Sequence, residues 1–270
     1  MIINHNLNAM NAHRNLVFNN IQEGKSSEKL SSGYRINRAA DDAAGLSISE
    51  KMRAQIKSLD QAQRNTQDGI SLVQTADGAM SEVSDMLGRM KELATQASNG
   101  TYNSSDLASM DKEYTSLKSA INSIAGNTKF NGINLLNTST GSVTIQTGDT
   151  SGNNVVVSLQ DITTSTIGLS TTDLTTTANA STAMGAIDTA IGDVNTARSS
   201  FGAFQNQLEH TFNNIGATSE NLQSAESRIR DTDMAKEMMN YTKYNILQQA
   251  ATSMLAQANQ APQSVLQLLR

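Results

Sequence analysis

Apolar residues recur every three or four positions over long stretches of this chain, and no proline interrupts those stretches. The longest such seam spans six heptads, and eleven of its thirteen positions are apolar. A spacing of 3.5 residues keeps one stripe of a helix facing a partner helix. The seam therefore predicts a long helix over about 183–229 that packs along its side. Its members are Ile187, Ala190, Val194, Ala197, Phe201, Phe204, Leu208, Thr211, Ile215, Thr218, Leu222, Ala225 and Ile229.

Two shorter seams predict two more helices that bundle with the first. One lies over about 44–99, and Asp41 and Asp42 stand before it, where carboxylates cap free helix amides. The other follows the capping cluster at 103–106 and closes at Gly126. The seam positions are Val73, Ala76, Met80, Val83, Leu87, Met90 and Ala94 in one helix, and Leu107, Met110, Tyr114, Leu117, Ile121 and Ile124 in the other.

The middle of the chain differs in composition, since Thr, Ser, Gly and Asn dominate 138–182 and Lys and Arg are absent from 131 to 197. Two runs rich in β-branched residues, 142–145 and 155–159, flank a turn-rich stretch. They predict a surface-exposed β-hairpin on the flank of the bundle. The predicted fold class is therefore mainly α, an elongated multi-helix coiled-coil bundle with a small β-hairpin region.

Both ends of the chain carry apolar residues that one partner helix cannot cover. Past Asp231 these residues point in many directions, and near the start they form a thin seam that Arg14 interrupts. A helix that is apolar over most of its circumference must be surrounded. We therefore expect both ends to be ordered by neighbouring copies and poorly ordered when alone, and Pro262 to end the last helix. The expected subunit-core contacts are Leu7, Met10, Val17, Ile21, Ile246, Leu247, Met254 and Leu255.

No residue pattern indicates catalysis or metal binding. Cysteine is absent, which excludes thiolate catalysis, disulfides and thiolate metal sites for this chain alone. The three histidines lack zinc-ligand spacing, and no phosphate-binding glycine loop is found. Asp231-Thr232-Asp233 starts like a calcium loop, but the sequence that follows does not continue it. We expect no enzymatic activity, no catalytic residue, no metal and no cofactor.

Charge and hydropathy limit the cellular locations and the classes of partner that we expect for the protein. No apolar stretch approaches the ~18 residues that span a bilayer, and the start of the chain lacks the basic-then-apolar pattern of a signal peptide. The net charge of −5 is mild, and no basic run indicates nucleic-acid binding. We expect no membrane insertion, no nucleic-acid partner, and either a cytoplasmic location or export without a cleavable signal.

Five segments near the two ends of the chain carry a family resemblance. They are LSSGYRINRAADDAAGLSISEKM at 30–52, RNTQDGISLVQTADGAM at 64–80, KFNGINLL at 129–136, ENLQSAESRIRDTDMAKEM at 220–238 and ILQQAATSMLAQANQAPQSVLQLLR at 246–270. These segments resemble bacterial flagellin, and the resemblance covers roughly the first 137 and the last 85 residues in the family's order. The middle is very short, so the large outer domains of longer flagellins are absent.

The resemblance implies a structural subunit that self-polymerises into the flagellar filament, the propeller for swimming. A hook-filament junction protein, or a non-polymerising helical adhesin or secreted immune ligand, is the alternative. The implied division places the N-terminal inner-core helix at 1–40 and the C-terminal one at 231–270. Between them lie the N-terminal part of the outer helical domain at 41–137, the short variable hairpin region at 138–182, and the C-terminal part of the outer domain at 183–230.

The resemblance also implies partners. Flagellins leave the cell through the flagellar type III channel, and they meet an export chaperone at the C-terminal region, the filament cap and hook-filament junction proteins. Some activate host Toll-like receptor 5, through residues that Arg89, Leu93 and Glu113 match here. We expect Arg89 and Leu93 to share one helix face, since they lie one turn apart. Gly88 and Lys91 depart from the family's receptor-binding stretch.

Overall fold

The computed structural model describes residues 5–138 and 140–268, with side chains up to Gln260. The helices are α1 (Leu7–Ser32), α2 (Ala43–Ala97), α3 (Ser104–Asn127), α4 (Thr177–Arg230) and α5 (Met234–Leu268). The strands are β1 (Lys129–Phe130), β2 (Ile133–Asn134), β3 (Ser142–Gln146) and β4 (Asn154–Ser158), which form two antiparallel pairs, β1 with β2 and β3 with β4. The fold is mainly α with a small β region, as the sequence predicts.

The chain forms two compact units. The terminal unit comprises the residues up to Ile56 and those from Glu220 onward, and the central unit comprises Lys57–Ser219. Helices α2 and α4 each contribute residues to both units. The predicted inner-core and outer-domain segments concern layers of a polymer, so that division stays a prediction.

The core of the central unit is built from the predicted seams. From Val73 to Ala94 every predicted seam position of α2 is completely buried. On α4 the seam is buried at Ile187, Ala190, Val194, Ala197, Phe201, Leu208 and Ile215. Alternate seam positions of α3 are buried, at Leu107, Tyr114 and Ile121. Small and medium side chains thus fill a core that holds few aromatic rings, which side-by-side helix packing permits.

The capping residues predicted at the starts of α2 and α3 are confirmed with one exception, Asp41. Asn103 caps α3, because its side chain accepts from the backbone N–H of Ser105 and Asp106 in a capping box. Asp42 caps α2, since its Oδ1 accepts from Gly45 N–H at 2.8 Å. The prediction for Asp41 is wrong. Its carboxylate accepts from the N–H groups of Asn37 and Arg38, which lowers its pKa and stabilises the turn before the helix.

The predicted hairpin is present, but it is not simply a surface feature. Strands β3 and β4 pair Ile145 with Val155 and Val143 with Val157 on one face. Ile145, Val155 and Val157 are buried in the core of the central unit, whereas Val156 on the opposite face is exposed. A Cβ atom at Gly69 of α2 would overlap the Cδ1 atom of Ile145. The missing side chain at that position therefore lets the hairpin lie directly on the helix.

The segment before α4 is fastened to α3 by polar contacts. Tyr114 Oη and Thr172 Oγ1 are 2.7 Å apart, and Asp111 Oδ1 accepts from Leu174 N–H at 2.8 Å. Lys118 donates to the carbonyls of Ser170 and Thr172. Burial raises the pKa of Tyr114 and lowers the pKa of Lys118. These bonds explain how a Thr- and Ser-rich loop stays in place over an apolar core.

The terminal unit contains the antiparallel pairing of α1 with α5. Asn6 caps α1 by accepting from Ala9 N–H, and its Nδ2 group donates to the Ala258 carbonyl at 2.7 Å. Near the other end, Asn245 Nδ2 donates to Glu23 Oε1 at 2.9 Å. These two bonds fix the level at which the helices lie side by side. Gly33, in the left-handed region with φ of 75°, ends α1.

Residues 33–35, which follow α1, and residues 230–232, which precede α5, pair with each other in a short contact that we call the clasp. Arg35 N–H donates to the Arg230 carbonyl at 2.7 Å, and Thr232 N–H donates to the Gly33 carbonyl at 3.0 Å, on either side of a Tyr34–Asp231 bridge. The Arg230 guanidinium lies 4.9 Å from the centre of the Tyr34 ring and also pairs with Glu50. The clasp therefore holds the end of α1 beside the start of α5.

The prediction that Pro262 ends the last helix is wrong, because α5 continues to Leu268. Proline fixes φ near the helical value and removes one N–H donor. One missing hydrogen bond did not stop the helix.

Replacing Gly69 by alanine tests the approach of the hairpin to α2. Ile145 is buried and cannot move aside freely, so we expect Gly69→Ala to lower the free energy of unfolding by about 1–3 kcal/mol. Urea denaturation measures the change. Gly78→Ala is the matched control, because its Cβ would meet nothing within 4 Å. The control should gain about 1 kcal/mol from helix propensity, and equal gains in both variants contradict the close approach.

Replacing Arg230 tests the clasp. Arg230→Ala removes the contacts with Tyr34 and Glu50, which we expect to destabilise the clasp by about 1 kcal/mol. Hydrogen exchange of the Arg35 and Thr232 amides should accelerate, since both donate within the clasp. Arg228→Ala removes the same charge from an exposed position of the same helix end and serves as control. Unchanged exchange in Arg230→Ala means that the backbone bridge alone maintains the clasp.

Candidate assembly surface of the terminal unit

The predicted subunit-core residues lie on the surface of the single chain. Met10 is 63% exposed, Ile246 is 60% exposed and Met254 is 60% exposed. Leu7, Val17, Ile21 and Leu247 are also exposed, and Leu255 is half-buried. Single exposed apolar side chains are common on protein surfaces, but a contiguous cluster of them is unusual and marks an interaction surface. The α1–α5 pairing therefore leaves apolar faces on both helices uncovered.

On α1 and α5, four more of the described large apolar side chains are exposed, outside the predicted subunit-core set. They are Phe18 on α1 and Met234, Met238 and Met239 on α5. Phe18 directly follows Val17, and the three methionines open the predicted last helix, so their position was visible in the sequence. The sequence does not show which face of α1 is covered by α5, or which face of α5 is covered by α1. These residues show that α5 is apolar on several sides at once.

A groove of about 550 Å³ runs between α1 and α5. Its α1 wall carries side-chain amides, from Asn8, Asn11, Asn15 and Asn19. Its α5 wall is mostly apolar, with Leu247 and Met254 among alanines. A second apolar surface on α5 is lined by Met238, Met239, Thr242, Lys243 and Ile246. The terminal unit thus presents apolar surface on more than one side.

The groove contains no titratable side chain, so it offers docking contacts and no acid–base chemistry. Among the described residues, no group of three or more His, Asp or Glu side chains could hold a metal ion. No helix in the described part of the chain is long and apolar enough to cross a membrane.

Of the three predicted receptor residues, the structure brings two together. Arg89 Nε donates to Glu113 Oε1 at 2.9 Å, and the same guanidinium pairs with Glu92 at 3.0 Å. These bonds, led by the one with Glu113, raise the pKa of Arg89. Leu93 does not share the exposed face of Arg89, because its side chain is only 2% exposed and packs in the core. Arg89 and Leu93 lie one turn apart on α2, but only Arg89 reaches the surface, so a receptor role for Leu93 stays a prediction.

The sequence matches two family models, one at each end of the chain. The bacterial flagellin N-terminal helical region matches residues 3–141, and the bacterial flagellin C-terminal helical region matches residues 184–269. The unmatched segment between them contains strands β3 and β4 and the loop before α4.

Relatives that match over the whole of both chains are also named as flagellar filament proteins. The flagellin of Halalkalibacterium halodurans is 56% identical, and the "flagellar filament 33 kDa core protein" of Treponema phagedenis is 45% identical, each with 100% of both chains covered. The crystal structure of Bacillus cereus flagellin is 41% identical, with a TM-score of 0.53, over 60% of this chain and 94% of that one. The chain therefore belongs to the bacterial flagellin family.

Proposed function

We propose that the terminal unit makes the contacts between copies in the filament. A flagellin is a structural protein, not an enzyme, and this chain self-polymerises into the extracellular filament of the bacterial flagellum, which drives motility. One observation carries the proposal: large apolar side chains remain exposed on α1 and α5, whereas the seams of the central unit are buried within the chain. The unit with uncovered apolar surface is the one that gains most from a neighbouring copy.

The energy available from such contacts is large. Full burial of one exposed Leu, Ile or Met side chain contributes about 1.5–3 kcal/mol. Association costs on the order of 4–15 kcal/mol or more in lost freedom of motion. Among the side chains described up to residue 260, eleven large apolar ones on α1 and α5 are exposed, so their burial on several sides can offset that cost: Leu7, Met10, Val17, Phe18, Ile21, Met234, Met238, Met239, Ile246, Leu247 and Met254.

Within the filament we assign 1–40 and 231–270 to the inner core. The segments 41–137, 138–182 and 183–230 form the outer layer, with the hairpin in the second of them. The self-contained core of the central unit supports this assignment, since a unit that buries its own seams needs no neighbour to stay folded.

The exposed apolar surface of α5 also indicates that the chain needs partners before it assembles. Uncovered apolar side chains on α5 aggregate unless they are protected, so we assign the export chaperone to the C-terminal region. We also propose that the chain is exported through the flagellar type III channel, and that it contacts the filament cap and the hook-filament junction proteins. The flagellin matches at both ends favour this role over a junction protein or a non-polymerising adhesin.

We also propose that the exposed Arg89 and Glu113 form a contact for host Toll-like receptor 5. They lie on neighbouring helices, α2 and α3, and their ion pair holds the guanidinium in one place. Leu93 is buried, so it acts on this surface only by packing beneath it.

A charge placed in the groove tests the assembly role. We expect Leu247→Asp to give a helical monomer that does not form filaments, because assembly would bury a carboxylate without a partner. Seeded polymerisation followed by electron microscopy measures the outcome. Val156→Asp, at a similarly exposed position of the hairpin, should polymerise normally. Normal filaments from Leu247→Asp remove this face from the subunit interface.

Removal of the guanidinium tests the receptor contact. Arg89→Ala should reduce receptor activation by about tenfold, the effect of losing ~1.4 kcal/mol, while filaments still form. A cell reporter for the receptor measures activation. The control is Arg64→Ala, which removes an exposed arginine from the same helix. Equal activation by both variants and the unchanged chain contradicts a receptor role for Arg89.

A further inference from the structure

We infer that the groove between α1 and α5 receives a ridge on α1 of the next copy, made of Met10, Val17 and Ile21. The inference rests on the proposed function and goes beyond it by naming the two surfaces that meet. The amide wall of the groove contains Asn8, Asn11, Asn15 and Asn19, and the three ridge residues belong to the same helix.

The chemistry of the groove limits what can occupy it. One wall carries Leu247 and Met254, so the occupant needs apolar side chains on that side. The other wall is a row of amides, which must keep hydrogen-bond partners when water leaves. An occupant with an apolar ridge and polar groups along its flank satisfies both walls.

The ridge has that composition apart from Arg14, which lies between Met10 and Val17 and donates to Asn11 Oδ1 at 3.2 Å. Met10, Val17 and Ile21 are exposed, at 63%, 44% and 53%. His13 and Asn20 lie along one side of the ridge and are also exposed, so they can reach the amides of the groove. The ridge therefore supplies methyl groups to one wall and hydrogen-bonding groups to the other.

The lengths of groove and ridge agree. The groove amides span residues 8–19 and the apolar residues of the ridge span residues 10–21, so each set covers eleven steps along α1. Each set therefore extends along about 17 Å of helix, at ~1.5 Å per residue. A ridge of this length fills the groove along its amide wall.

The placement of both surfaces on one helix explains an open polymer. Each ridge residue follows a groove amide by two positions, which is a rotation of about 200° around a helix of 3.6 residues per turn. Groove and ridge thus point in nearly opposite directions on the same α1. Docking a ridge into a groove leaves a free groove on one copy and a free ridge on the other, which is a heterologous contact that can continue.

The amide row has a further consequence, because it selects one register. A displaced ridge would place apolar side chains against the amides and leave buried donors without acceptors. A single asparagine fixes the register of a coiled coil in the same way. Asn8, Asn15 and Asn19 therefore determine how far neighbouring copies are shifted along the helix axis.

Disulfide trapping between copies tests the groove-and-ridge contact. The chain contains no cysteine, so single substitutions give proteins with one thiol each. Proteins carrying Asn8→Cys or Asn15→Cys in the groove are each mixed with a protein carrying Met10→Cys, Val17→Cys or Ile21→Cys, polymerised from seeds and oxidised. Disulfides require Cβ atoms within about 4.5 Å. Mixing Asn15→Cys with Ser253→Cys, an exposed position of α5 outside the groove, is the control.

We expect a covalent heterodimer for one groove-and-ridge combination and none with Ser253→Cys. Filaments that give no groove-and-ridge heterodimer, or that join Asn15→Cys to Ser253→Cys instead, overturn the inference while the assembly function stands. If the unchanged chain forms no filaments, the proposed function fails and the inference falls with it.

Asn15→Leu tests the role of the amides, with the Asn8→Cys trap as readout. We expect the heterodimers to spread from one ridge position to several, since no amide opposes a shifted ridge. Asn15→Gln retains an amide and should restore the single partner. A single unchanged partner in Asn15→Leu shows that the amides do not set the register.

Discussion

A helix that is apolar around most of its circumference cannot be covered by one partner, and this limit governs the terminal unit. Helix α5 contacts α1 along one side and leaves Met239 and Ile246 exposed on another. The central unit has no such excess, because its seams meet each other within the chain. One chain therefore combines a unit that is complete alone with a unit that is completed by its neighbours.

The clasp connects this limit to the rest of the fold. It holds the end of α1 beside the start of α5, so the two incompletely covered helices leave it as a pair. A pair has two walls and can form a groove, whereas a lone helix cannot. The hydrogen bonds from Asn6 and Asn245 then set the level of the two walls, which places the amides opposite Leu247 and Met254.

The sequence predicts helices and strands correctly where the structure depends on the local pattern of residues. Steps of three and four residues located the seams of α2 and α4, and two β-branched runs around a turn-rich stretch located β3 and β4. The predictions are wrong where contacts with other parts of the fold determine the position of a side chain. Asp41 binds the turn before the helix rather than its end. The seam alone does not show that Leu93 is buried, because the core covers a stripe of α2 wider than one seam. The groove is unreadable from sequence, because its walls are more than 220 residues apart in the chain.

Methionine oxidation compared between monomer and filament tests the central claim most directly, because oxidation reports exposure at each thioether. Met239 and Met254 are 67% and 60% exposed in the single chain, whereas Met80 and Met90 are fully buried. Burial of the terminal unit by neighbouring copies predicts that Met239 and Met254 oxidise in the monomer and are protected in the filament, with Met80 and Met90 protected in both. Equal oxidation of Met239 and Met254 in monomer and filament would contradict the account.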